Sequence, residues 1–155
     1  MTVFTSSGTS LAISASAPAT YNEAGYEALT FTQIGEVGDL GDLPSAVHEI
    51  VVWRNITNRG PSKAKGPYDF PDQTVMLGFD PDDTGQALLD AAILSDATYS
   101  VRVSSPGMGD FYRRVLITGG PINFGDGSAT ATRQVTLATT IVSESETGVV
   151  YVPPA

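Results

Sequence analysis

Apolar and polar residues alternate along most of this chain, and the period lengthens to about 3.6 residues convincingly in one place. In Thr74–Phe79, Val75, Leu77 and Phe79 point one way and Thr74, Met76 and Gly78 the other, which predicts a strand with one buried face. The stretch FDPDDTGQ then turns the chain. Pro81 suits the turn. Asp83 is placed to cap a helix, and Gln86, three residues on, to reach back in a capping box. A helix is predicted over residues 84–95. Leu88, Leu89, Ala92 and Ile93 share one face of it, and burying the three large side chains stabilises by roughly 1.5–3 kcal/mol each. Ala87, Ala91 and Leu94 occupy the other side. A helix apolar on both sides is expected to be covered twice, once by its own sheet and once by a second surface.

The remaining segments read as strands and loops. Leu11–Ala15 reads as a strand inside a Ser/Thr/Ala-rich arm, residues 1–20, that is expected to pair on assembly. Tyr21–Tyr26 is turn-rich. Leu29–Val37 reads as a strand with Leu29 and Phe31 on one face and a bulge near Ile34. The sequence GDLGDLPS is loop. Val47–Thr57 is apolar on both faces, as in strands covered on both sides. A long Gly/Pro-rich loop follows, taken together with the end of that strand as residues 54–72. Tyr99–Ser104 and Phe111–Thr118 form a hairpin around SPGMGD. Thr130–Val142 places Val135, Leu137 and Ile141 on one face, and Thr130, Thr132, Gln134, Thr136 and Thr140 on the other. The tail, residues 144–155, ends in prolines. The expected class is mainly β: two packed antiparallel sheets, a sandwich or half-barrel, with one flanking helix, in a single domain spanning residues 1–155.

Composition narrows the function. At 155 residues the chain can bury a real core. Its net charge of −9 argues against a phosphate-gripping domain, which is usually basic. It has no cysteine, hence no disulfide, thiolate metal site or thiol nucleophile. The N-terminus lacks a basic region and a continuous apolar core, so it does not read as a secretion signal. No run of about 18 apolar residues predicts a membrane span.

Catalytic chemistry finds little purchase. The one histidine, His48, lies within a predicted strand, where a structural role is the ordinary one. No G-x-S-x-G, HExxH or P-loop occurs, and nothing selects a pair among the 17 acids. Asp80, Asp82 and Asp83 resemble the start of a calcium loop, but Thr84 and Ala91 stand where further ligands belong. Asn55-Ile56-Thr57 matches a glycosylation acceptor within a predicted strand. No enzyme, metal or cofactor is expected.

Charge distribution says more. Arg54, Arg59, Lys63 and Lys65 are half of the eight basic residues, with no acid among residues 54–65. With a net charge of −9, these four leave −13 for the rest of the chain. A cationic loop on an acidic body suits docking on another copy of that body; a solvated loop has the same composition. The last long strand, whose single charge is Arg133, reads as a sheet edge awaiting a partner, since monomers blunt their edges with charge or proline.

The order of FTQIGEVGDLG and VHEIVVWRNITNRGPSKAKGPYDFPDQTVMLGFDPDDTGQALLDAA resembles the tail tube (major tail) proteins of long, non-contractile-tailed, lambda-like bacteriophages. An Ile-Gly-x-Val strand precedes a strand ending in a variable loop, a Lys-x-Gly exit, a short strand and a D-x-G-Q helix start; Lys65-Gly66, Asp83 and Gly85-Gln86 match, and the resemblance covers residues 20–142. It implies a virion structural protein assembled in the host cytoplasm. Hexameric rings would stack into a tube delivering DNA, with six subunits lining a β-barrel channel. DNA and a tape measure protein would occupy the lumen, and tail terminator and distal tail proteins the ends. On this reading Arg54, Arg59, Lys63, Lys65 and Gly66 form the inter-ring stacking loop. Ala87, Ala91 and Leu94 face a neighbouring subunit, and Thr130, Thr132, Gln134 and Thr136 face the lumen. The alternatives are a tube protein of a contractile tail or secretion system, and a carbohydrate-binding β-sandwich using Trp53 and tyrosines.

Overall fold

Eight of the strands join one antiparallel sheet, and two form a separate ribbon. The computed structural model describes residues 2–141, 146 and 148–155; Val142, the end of the strand expected at Thr130–Val142, and residues 144, 145 and 147 of the tail lie outside the described residues. In chain order the elements are β1 (Ser10–Ser14), α1 (Glu23–Glu27), β2 (Thr32–Ile34), β3 (Val37–Asp39), β4 (Val47–Trp53), β5 (Ser62–Asp69), β6 (Gln73–Gly78), α2 (Thr84–Ile93), β7 (Tyr99–Ser105), β8 (Gly109–Asn123), β9 (Thr132–Thr139) and β10 (Val150–Val152). The large sheet runs β2-β1-β7-β8-β9-β6-β3, with β10 also paired to β8. The class is mainly β with two antiparallel sheets, as the alternation predicts.

The expected strand Leu29–Val37 is instead two short strands, β2 and β3, at opposite ends of the sheet order and separated only by Gly35 and Glu36. The chain turns there through Glu36, whose φ of 59° lies in the left-handed region, uncommon for a residue with a side chain. The sheet therefore curls until its two ends meet along the chain.

The inner face of this curl holds the main core. Leu11, Ile13, Val101, Val115, Leu77 and Leu137 are almost completely buried there, the inward set that alternation demands. Helix α2 closes it with Leu89 and Ala92, while Leu88 and Ile93 are partly buried against the cluster. A Cβ at Gly85 would overlap the Gln33 carbonyl oxygen and the Ile34 Cα, so glycine lets the first turn of α2 lie directly on β2.

The outer face is covered only in part. The turn-rich Tyr21–Tyr26 contains a second helix, α1, capped by Asn22, whose Oδ1 accepts from the Gly25 N–H at 3.0 Å. Tyr26 stacks on Tyr112 with ring centroids 5.4 Å apart, joined by Phe31 and Val152. Leu116 and Thr118, on the same side of β8 as Tyr112, are exposed.

Three further expectations change. The strand read as an edge, β9, lies between β8 and β6; its Arg133 is buried and pairs with Asp90 at 2.8 Å, so the charge serves the interior. The long loop 54–72 contains a strand, because Ser62–Asp69 pairs with β4. Its Gly66 and Pro67 fall where the register shifts between His48 and Ile50, a bulge that tolerates proline's missing N–H. Finally, β4 is exposed along its whole length: its two apolar faces are not covered within the chain.

Candidate assembly surfaces

The β4–β5 ribbon is the first surface. Lys63 and Lys65 lie on β5, Gly66 is in the bulge, and Arg54 and Arg59 follow β4 at the tip. All four basic side chains are exposed. Residues paired across antiparallel strands share a face. Ile50 pairs with Lys65 and Val52 with Lys63, while Val51 pairs with Ala64 and Trp53 with Ser62. One face is therefore aliphatic and cationic; the other carries Val51, Ala64, Trp53 and Ser62 toward the tip and the acids Glu49 and Asp69 toward the root. Trp53 is 71% exposed near the tip. Tyr68 lies at the root, against His48 and Phe70, so the two aromatics do not make one sugar platform.

The second surface is the outer face of β3, β6, β9 and β8. Thr132, Gln134 and Thr136 line it, paired with Gly78, Met76 and Thr74 on β6, and Thr136 and Ala138 face Thr118 and Leu116 on β8. Thr130 precedes β9 and lies in the loop. None of these side chains is charged; Asp39, opposite Met76 on β3, is the acid at one border. Both borders are strand edges. Among the described residues β3 pairs on one side only, with β6. The last β7 partner of β8 is Val115, leaving one edge of β8 from Leu116 to Asn123 unpaired among the described residues. Ile122 and Phe124 expose apolar surface at its end.

The third surface is the far side of α2. Ala87 and Ala91 are exposed, and Leu94, the C-cap, is 90% exposed. Asp83 caps the helix, accepting from the Gln86 N–H at 2.9 Å. The Gln86 side chain does not complete a capping box. Buried beneath the turn, it donates to the Gly35 and Gly78 carbonyls and accepts from the Asp80 N–H.

The interior carries polar groups that periodicity did not reveal. Arg113 is buried on β8 and donates to Gln73 Oε1; burial lowers its guanidinium to about 10. Gln73 in turn donates to the Leu40 carbonyl at 2.6 Å. Arg114, on the opposite face, donates to the Ser16 and Thr98 carbonyls and to Ser100 Oγ. Burial, with the nearby Glu146 charge, pushes the Tyr26 phenol well above its ordinary range. These groups fasten strands rather than line a cleft. Among the described residues no three His, Asp or Glu are grouped to hold a metal, and no helix is long and apolar enough to cross a membrane.

No family model and no curated protein matches the chain. Solved structures do. A chain of the six-fold symmetrised cryo-EM structure of the anti-feeding prophage baseplate aligns over 91% of this chain and 94% of its own length, at 9% identity and a TM-score of 0.57. The likeness is one of fold. A chain of the anti-feeding prophage tube terminating cap aligns over 83% of each chain, at 13% identity and a TM-score of 0.47. A chain of the activated phage p2 baseplate aligns over 84% of this chain and 44% of its own, at 14% identity and 0.48.

Proposed function

We propose that this chain is a non-enzymatic structural subunit of a phage tail or a phage-derived tail-like particle, and that it builds a tube. The observation that carries the reading is the four-stranded face, uncharged but for Asp39 at its border, that ends among the described residues in two unpaired edges, β3 and the far half of β8. An unpaired edge is a template for another strand. Two different edges on one subunit make a head-to-tail contact, which closes into a ring when the rotation allows. Six copies of four strands, about 4.8 Å apart and tilted by about 40°, close at a backbone diameter of roughly 48 Å. The wall would present Thr132, Gln134, Thr136, Thr118 and Met76. A duplex or a tape measure protein could pass such a wall without being held, because basic side chains would bind phosphate by releasing its counterions. The ribbon, with Arg54, Arg59, Lys63 and Lys65, would join successive rings, and terminator and distal tail proteins would close the ends.

The fold likeness to a baseplate chain supports a second reading, a single ring at the end of a tail. Negative-stain microscopy of the purified protein separates them. Hollow filaments with six-fold end views are expected for the tube, and isolated rings for the baseplate. A monomer without rings at high concentration would overturn both.

A further inference from the structure

We infer that the cationic face of the β4–β5 ribbon seats on the exposed side of α2 in a second copy of the chain. The inference rests on the stacked-ring reading and names the surface that receives the ribbon.

The ribbon is built to be covered. Ile50 is 52% exposed and Val52 47%, an apolar strip on the cationic face of the kind that marks an interaction surface. A lone two-stranded ribbon is also marginal in water, so its shape calls for a partner. On the cationic face Lys63 and Lys65 flank Val52 and Ile50. Its seat must therefore combine an apolar strip with negative charge.

The exposed side of α2 has that combination. Ala87 and Ala91 are small enough for a ribbon backbone to come close, and Leu94 offers an uncovered aliphatic side chain. From Gly66 to Val101 the chain holds seven aspartates and no Lys or Arg. Asp82 precedes the helix, Asp90 lies on it and Asp96 follows it. Asp90 Oδ1 accepts from the Arg133 guanidinium at 2.8 Å and Asp90 remains 58% exposed, so its carboxylate keeps acceptor capacity for an incoming ammonium. The uncharged face of β6, β8 and β9 supplies no countercharge. Ribbon and helix are both exposed in the same chain, so the matching half of each comes from another copy. The contact is heterologous: each copy gives a ribbon and receives one.

The test uses the absence of native cysteine. Val52→Cys and Ala91→Cys proteins, one carrying a size tag, are mixed, assembled and treated with a short bis-maleimide. Both positions are exposed, and folding of each variant is checked by circular dichroism. Seating raises the local thiol concentration, so the tagged–untagged pair should exceed that from a Val52→Cys and Ser128→Cys mixture by about ten-fold. Assemblies seen by microscopy without this enrichment would overturn the seat and leave the assembly reading standing. Absence of any assembly from the unmodified protein would overturn both.

Discussion

The Asp83 carboxylate accepts the backbone N–H of Gly35 at 3.0 Å, across 48 residues of sequence. The same oxygen, Oδ2, accepts from the Gln86 N–H at 2.9 Å. One side chain therefore caps α2 and ties it to the joint where β2 becomes β3. Gln86 completes the knot by donating to the Gly35 and Gly78 carbonyls, at 3.2 and 2.8 Å. The helix start, the end of β6 and the meeting point of the two sheet ends share a single hydrogen-bonded cluster. The curl of the sheet, and the outer face that curl presents, depend on it.

Asp83→Ala should consequently cost more than an ordinary helix cap. Losing the cap removes about 0.5–2 kcal/mol, and leaving the half-buried Gly35 N–H without an acceptor adds about 1–3 kcal/mol. Asp83→Asn keeps an amide oxygen in place and should retain most of the stability. Urea unfolding of the two variants measures the difference. A loss in Asp83→Ala no larger than that of an ordinary cap would show that the tie to Gly35 has no separate weight.

The two sides of α2 should respond in opposite ways. Leu89 is 1% exposed in the main core, so Leu89→Ala should cost about 2–5 kcal/mol. Ala91→Ser, on the exposed side, should change stability by no more than about 0.5 kcal/mol. Thermal unfolding of both variants checks this. A large loss at Ala91 would mean that this side is engaged within the folded chain.

Tyr26 is placed to govern alkaline unfolding. Its hydroxyl is buried with no hydrogen-bond partner among the described residues. Burial, reinforced by Glu146, raises its pKa well above the ordinary 10.0. A group whose folded pKa is raised stabilises fully below its unfolded pKa and loses that contribution as pH climbs toward the folded value. Stability should therefore fall above pH 10, and Tyr26→Phe should flatten the decline. Arg113 works the other way: lowered from 12.5 to about 10, it favours the folded state as pH rises through that window. Tyr26→Phe at neutral pH should cost at most about 1 kcal/mol, since no made hydrogen bond is lost. Urea unfolding at pH 8 and above pH 10 reads both effects.

How much of this was legible in the sequence depends on the range of each cause. Alternation exposed β6, β7 and the inner face of β9, because every second side chain reports burial directly. The Asp83 cap was visible as a local spacing. Gln86's partners were not, since Gly35 lies 51 residues away and the capping-box pattern describes only the local alternative. The ribbon was misread twice, each time for its own reason. Apolar residues on both faces signal cover without saying which molecule supplies it, so β4 read as an inner strand. Gly66 and Pro67 read as loop although a bulge accommodates both. Length and scarcity of charge made β9 look like an edge awaiting a partner; the burial of its one charge, Arg133, against Asp90 is tertiary and leaves no periodic trace.

Charge reversal on the ribbon should separate folding from assembly. Arg59, Lys63 and Lys65 are exposed, so their joint replacement by Glu should leave the circular dichroism spectrum and melting temperature nearly unchanged. Placed against an acidic neighbour, the same charges become repulsive. Filaments should be lost while individual rings persist, as seen by negative-stain microscopy. Normal filaments from the triple variant would remove the ribbon from the inter-ring contact.

The uncharged sheet face makes the last prediction. Gln134 is exposed and Thr136 half-buried on the outer side of β9, and neither makes a side-chain contact that the fold depends on. If that face lines a channel, Gln134→Lys with Thr136→Lys places two cations per subunit along the wall. Repeated around a ring, these charges would neutralise duplex phosphates and release counterions, so affinity should fall steeply as salt rises. Unmodified assemblies should retain no DNA at low salt, the lysine variant should retain it, and raising the salt should release it. Retention is measured by co-sedimentation of assembled particles with short duplex DNA, using nuclease to remove DNA bound outside. Protection of the retained DNA from nuclease would place the face inside the tube. Retained DNA that nuclease digests freely would place these side chains on the outer wall, and the lumen would then have to be built from another face.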